Sequence, residues 1–133
     1  MSVERSELNV KRSDLLDALV AALRHHRVLL ENEYVRVLET KISPGDTVPL
    51  HTHGWPAVHH VMSWSDFVRR DEHGVVEVDT RGKPAVAVGA VLWSGPLGPH
   101  TLENVGATDL HVISVELKGG QKTPKAELST QNV

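Results

Sequence analysis

The stretch Gly45-Asp46-Thr47-Val48-Pro49-Leu50-His51-Thr52-His53 decides how this chain is read. Successive side chains on a β-strand alternate faces, so His51 and His53 point the same way, with Cα atoms about 6.7 Å apart. Two imidazoles at that spacing can converge on one metal ion from a single wall. A third candidate, His100, follows the Gly/Pro-rich run Gly95-Pro96-Leu97-Gly98-Pro99 and precedes Asn104 by four residues. Two ligands on one strand and a third on a distant strand are how an all-β barrel builds a metal site at its mouth.

Outward from that stretch the chain divides into three regions. Residues Ser13 to His26 read as a helix, with Ser13-Asp14 as its N-cap and Leu15, Leu16, Leu19, Ala22 and Leu23 as an apolar stripe. Short β-rich runs follow: VLLENEYVRVLETKI, TVPLHTH, PAVHHVM, DFVRR, VVEVD, AVAVGAVLW, HTLEN and DLHVISVEL. Turn signals at Pro44-Gly45, Gly54, Gly74, Arg81-Gly82-Lys83-Pro84 and Gly106-Ala107-Thr108-Asp109 separate them. Seven or eight short strands with regular turns predict a sandwich or barrel. After Lys118 no periodic apolar pattern remains, so a mobile tail is expected. The expected organisation is a helical extension over 1–27, a β-domain over 28–118 and the tail over 119–133.

Composition narrows the function classes. A chain of 133 residues fits one domain, and a net charge of −3 with both signs scattered gives no footprint for nucleic acid. The absence of cysteine excludes disulfides, thiolate ligands and a cysteine nucleophile. No apolar run reaches the ~18 residues of a membrane span, and the N-terminus is too polar for a signal peptide, so a cytoplasmic protein without a membrane partner is expected. No phosphate-loop, dinucleotide or nucleophile motif occurs, which leaves hydride and phosphoryl transfer without support.

Gly45, His51 and His53, together with Gly89, Pro96, Gly98, His100 and Asn104, resemble the two motifs of small single-domain cupins, G-x5-H-x-H-x3-4-E-x6-G and G-x5-P-x-G-x2-H-x3-N. The likeness runs from about Val28 to Leu117 and is greatest to short bacterial cupins labelled as β-alanine-degradation proteins. It implies an all-β fold, the cupin double-stranded β-helix or jelly-roll barrel, with the N-terminal α-helix added. It also implies a homodimer formed by strand exchange or sheet packing. There are departures. The glutamate ligand of the first motif falls at Ala57 or Val58, its closing glycine at Trp64, and the spacings around Pro96 and His100 differ by one residue. A four-ligand His3Glu site is therefore not expected, whereas His51, His53 and His100 form a three-histidine set.

Imidazoles bind as neutral donors and suit divalent iron, zinc, nickel, copper or manganese, so the metal is not selected. Without the glutamate the site keeps its full formal charge and is expected to favour a small anionic ligand, such as a carboxylate or dicarbonyl. An oxygenase-type enzyme is the leading expectation, with a non-catalytic sensory or accessory binding protein as the alternative.

The remaining histidines need their own readings. His25 and His26 are read as the basic end of the helix, and His73 as solvated. His59 shares the inward face of PAVHHVM with Val61 and is either a fourth ligand, an acid/base group or cavity wall. His111, Trp55 and Trp93 are expected around the pocket, and Trp64 in the core. Arg69 and Arg70, after Phe67, could place one guanidinium toward a carboxylate substrate; at most one of them faces inward, and a solvated strand edge is the preferred reading.

Overall fold

Residues 12–119 are described by the computed structural model, so the expected tail lies outside the described residues except for Gly119. Nine strands follow a helical stretch: β1 His26–Glu31, β2 Val35–Ile42, β3 Thr47–His53, β4 Ala57–Ser63, β5 Phe67–Asp71, β6 Val76–Asp79, β7 Val91–Ser94, β8 Leu97–Asn104 and β9 Leu110–Leu117. They form two antiparallel sheets, ordered β1-β2-β9-β4-β7 and β3-β8-β5-β6. This is a jelly-roll sandwich. The run VLLENEYVRVLETKI is a hairpin of two strands, not one, and only the last residues of AVAVGAVLW are strand.

The helical stretch is broken where one helix from Ser13 to His26 is predicted. It consists of single turns at Arg12–Leu15 and Ala18–Ala21 and a 3₁₀ turn at Leu23–His25. Asp17 interrupts it with extended backbone, and its carboxylate accepts from the Leu19 N–H as a cap. The preceding Leu16 carbonyl accepts from the Thr52 N–H at 2.6 Å, so this segment is stitched to β3. Barrel pairing outweighs helix propensity here.

Strand alternation sorts the side chains. Arg36, Leu38, Thr40 and Ile42 on β2 pair in register with Glu116, Ser114, Val112 and Leu110 on β9, and all face the interior. Ile42, Val48, Leu110 and Ala22 form a buried cluster, with Trp64, Phe67, Leu102 and Val112 packed against it. Trp64 stacks edge-on against Phe67 with ring centroids 5.7 Å apart, which is the packing role expected of it.

Two turns explain why particular motif residues stand where they do. Gly45 turns the chain from β2 into β3 at φ +81°, a conformation that costs glycine nothing, and its N–H donates to the Asn104 carbonyl. The Asn104 side chain is fully buried, donates to the Ile42 and Thr108 carbonyls, and accepts from Ser65 Oγ and the Gly106 N–H. A Cβ on Gly106 would run into the Ser65 side chain and the Asp66 backbone. Asn104 is thus a structural tie between loops.

Candidate metal centre

Four histidines meet at one end of the barrel interior. His51 on β3 stands directly opposite His100 on β8 in the strand register, with ring centroids 4.2 Å apart. His53 lies on the same face as His51, centroids 4.9 Å apart. The fourth is His26, at the first position of β1, with centroids 5.1 Å from His51 and 5.3 Å from His53. Donor nitrogens of His26, His51 and His53 all lie within 4.8 Å of one another. That converging set therefore contains His26, while His100 flanks it across the His51 ring.

Hydrogen bonding aims these rings. His26 Nδ1 lies 2.9 Å from the Ala22 carbonyl oxygen, His51 Nδ1 2.8 Å from that of Pro49, and His100 Nδ1 2.7 Å from that of Gly98. A carbonyl can only accept, so each Nδ1 carries the proton and each Nε2 keeps its lone pair. His53 Nδ1 donates to Glu116 Oε2 at 3.1 Å, with the same consequence. Metal-binding histidines are oriented by such partners on their second nitrogen. The donor set fits a divalent transition ion.

Burial holds these imidazoles neutral. Desolvation, then the neighbouring histidines His100 and His53, pushes His51 down to about 2. Desolvation likewise brings His26 and His100 to about 4, against the opposing hydrogen bonds to Ala22 and Gly98. The pH consequence has a definite sign. In the unfolded chain these groups protonate near pH 6.5, whereas in the folded one they resist. Above about pH 6.5 neither state binds the protons, and as pH falls toward 4 only the unfolded state takes them up. Metal-free protein is thus expected to lose stability between about pH 6.5 and pH 4, on the order of a few kcal/mol. Urea unfolding across that range checks it, and a flat profile contradicts it.

The missing glutamate has a counterpart on the neighbouring strand. Ala57 faces inward, as expected, and its register partner is Glu116 on β9, only 1% exposed. Besides accepting from His53, Glu116 accepts from Arg36 Nε at 2.6 Å. Arg36 in turn grips Asp17 with both terminal nitrogens, at 3.0 and 3.1 Å. Burial alone would raise the Glu116 pKa, but the hydrogen bonds from His53 and Arg36 hold it below the usual carboxylate range. A carboxylate thus sits behind His53, itself paired with Arg36, and does not enter the converging set.

The histidines border a cavity of about 240 Å³ whose other walls are mostly apolar, among them Val48, Val61, Trp64, Phe67 and Leu102. His59 lines it, as its alternation with Val61 predicts, while His60 and Met62 face out. Both His59 nitrogens are engaged, Nδ1 with Ser114 Oγ and Nε2 with Ser94 Oγ, each at 2.7 Å. Its nitrogens are thus turned to hydroxyls, and His59 is not part of the converging set of His26, His51 and His53. Desolvation lowers its pKa, so it too is neutral near pH 7.

Several expected wall residues lie elsewhere. His111 points to the outer face and pairs with Glu39 at 2.8 Å, because the inward positions of β9 are Leu110, Val112, Ser114 and Glu116. Trp55 is outside the cavity, its ring covered by the Arg36 guanidinium at 5.0 Å and the Lys118 ammonium at 5.6 Å. Trp93 borders the cavity yet is 63% exposed, since its register partner Val58 faces outward. Arg70 pairs with Glu103, whereas Arg69 faces the cavity, so the solvated-edge reading fails for Arg69. His25 contacts Asp46 at 2.9 Å and His73 is exposed.

His26 is the residue that sequence reasoning missed. Reading the chain as helical through His26 made it a helix end. The signal that could have found it is strand alternation continued back from the β-rich run VLLE, since the strand begins two residues before Val28.

No family model matches the sequence, and no curated protein matches it. Among solved structures, a cupin domain from Bordetella pertussis Tohama I has a TM-score of 0.57 at 21% identity, covering 71% of this chain and 92% of that one. The fold is the cupin jelly roll. A conserved protein with a double-stranded β-helix domain from Klebsiella pneumoniae subsp. pneumoniae MGH 78578 has a TM-score of 0.51, also at 21% identity, over 71% and 76% of the two chains. These likenesses speak for the cupin fold alone. Among the described residues no helix is long and apolar enough to cross a membrane.

Proposed function

We propose that this cupin is a metal-dependent enzyme acting on a small carboxylate or dicarbonyl, with an oxygenase-type reaction as its leading chemistry. The observation that carries the reading is the set of imidazoles His26, His51, His53 and His100, each with Nδ1 tied to an acceptor and Nε2 free, facing a mostly apolar cavity. A divalent ion held there supplies Lewis-acid polarisation or, if it is redox-active, dioxygen activation. The chain supplies the rest. Apolar walls exclude water and raise the strength of every charge interaction inside. His59, neutral and placed between two hydroxyls, can take a proton from one side and release one to the other, which is what an acid/base group needs.

Oxygen consumption by the iron-loaded protein across a panel of small carboxylates and β-dicarbonyls tests this. Turnover that falls in His59→Gln while the bound metal stays constant supports the enzyme reading. Binding of panel members without turnover under any metal supports a sensory or accessory protein instead.

The reading includes a second copy of the chain. On the outer face of the five-stranded sheet, Leu30, Val37, Val115, Val58 and Trp93 are register partners across all five strands. This apolar row is about 19 Å wide at ordinary strand spacing, and exposed apolar faces of this kind mark interaction surfaces. Light scattering is expected to give a dimer, and Leu30→Lys combined with Val91→Lys, both at exposed positions, a monomer. A wild-type monomer at micromolar concentration contradicts it.

A further inference from the structure

The cavity is electrically one-sided. Its lining residues include a single side chain with a fixed charge, Arg69, and no carboxylate. An arginine facing an apolar cavity is expensive unless something there uses it.

The position of Arg69 is set by the sheet. It stands opposite Leu102 in the β5–β8 register, and Leu102 is two residues from His100 on the same face. A diagonal cross-strand neighbour lies ~7–8 Å away, within reach of a long side chain. The guanidinium is therefore placed beside the imidazole cluster. Only its Nε is bonded, to Glu77 Oε1 at 3.1 Å on the half-exposed side of β6. Among the described residues neither terminal nitrogen has a hydrogen-bond partner, so the two-pronged edge of the fork is open. An oxyanion in the cavity would accept from that open edge as a charge-assisted pair.

We infer that Arg69 is the anion-anchoring residue of this cavity: it binds the carboxylate of a small, otherwise apolar ligand through its terminal nitrogens, beside the histidine cluster, and so selects acids over neutral analogues. The inference rests on the proposed function for its choice of site, but not on the presence of metal. Arginine suits the task because its planar fork matches a carboxylate at two points, which a lysine does not. The apolar walls then select the remainder of the ligand by size.

The test uses benzoate and its neutral analogue benzamide, titrated into metal-free protein and followed by amide chemical shifts. Wild-type protein is expected to bind benzoate about 10-fold or more tighter than benzamide, the usual worth of a charge-assisted pair. Arg69→Met, which keeps the apolar stem, should bind the two equally, and Arg69→Lys should fall between them. Undisturbed shifts outside the cavity confirm that each variant is folded. A wild type without preference for the acid, or an Arg69→Met variant that keeps the preference, overturns the assignment. Failure of the metal reading would show separately, as absence of zinc binding by the same samples. That result leaves the acid-to-amide comparison intact.

Discussion

Replacing His51 by alanine is expected to abolish the stabilisation that a divalent metal gives this protein. His51 belongs to the set whose donor atoms lie within 4.8 Å, and its ring lies within 5.1 Å of each of the other three histidines, centroid to centroid. Losing an outer partner of a ligand costs about 10–100-fold in affinity, so losing a ligand costs more. For wild-type protein, metal at about 100 times its dissociation constant adds roughly 2.7 kcal/mol, or a rise in melting temperature near 10 °C. The His51→Ala variant should show almost none of that rise. The metal-free variant should still fold, and should lose less stability in acid than wild type, because one buried group that resists protonation is gone. A metal-induced rise that survives the substitution would remove His51 from the site.

The second large effect is expected from Arg36. Its side chain is 7% exposed and carries three hydrogen bonds to two carboxylates, Glu116 and Asp17. Arg36→Met would leave Glu116 buried beside His53 without its main counter-charge. Breaking a buried pair from one side costs about 3–5 kcal/mol, more than most single substitutions. Arg36→Lys keeps the charge but loses the fork and should fall between. The pH dependence identifies the cause. In Arg36→Met the Glu116 pKa is no longer held down, so the deficit relative to wild type should shrink as pH falls and Glu116 takes up a proton. Urea unfolding at pH 7.5 and pH 5.5 measures it, and a deficit that is unchanged or larger at the lower pH contradicts this account.

The fold was legible because its signals are local. Alternation in TVPLHTH and PAVHHVM assigned the inward faces of β3 and β4, and the glycine at position 45 marks a turn that needs positive φ. Two of the three converging histidines came from that alternation alone. What was not legible depends on non-local pairing. The interior role of His26 follows from its register with Thr40 across the β1–β2 hairpin, which no periodicity within residues 13–26 contains. His111 was misplaced because both faces of β9 are apolar, with Ile113, Val115 and Leu117 on the outside. An outer face as apolar as the inner one erases the alternation that tells them apart. Arg69 shows the opposite failure: a charged residue on a strand reads as solvated, and only its pairing with Leu102 turns it inward.

Elemental analysis of the protein purified without a metal-affinity tag, then equilibrated with iron, nickel and zinc in turn and desalted, tests the metal centre most directly. The account predicts close to one equivalent of at least one of these ions per chain, lost when His26 and His51 are both alanine. A chain that stays metal-free in every case, or one whose double variant retains the full equivalent, would contradict it.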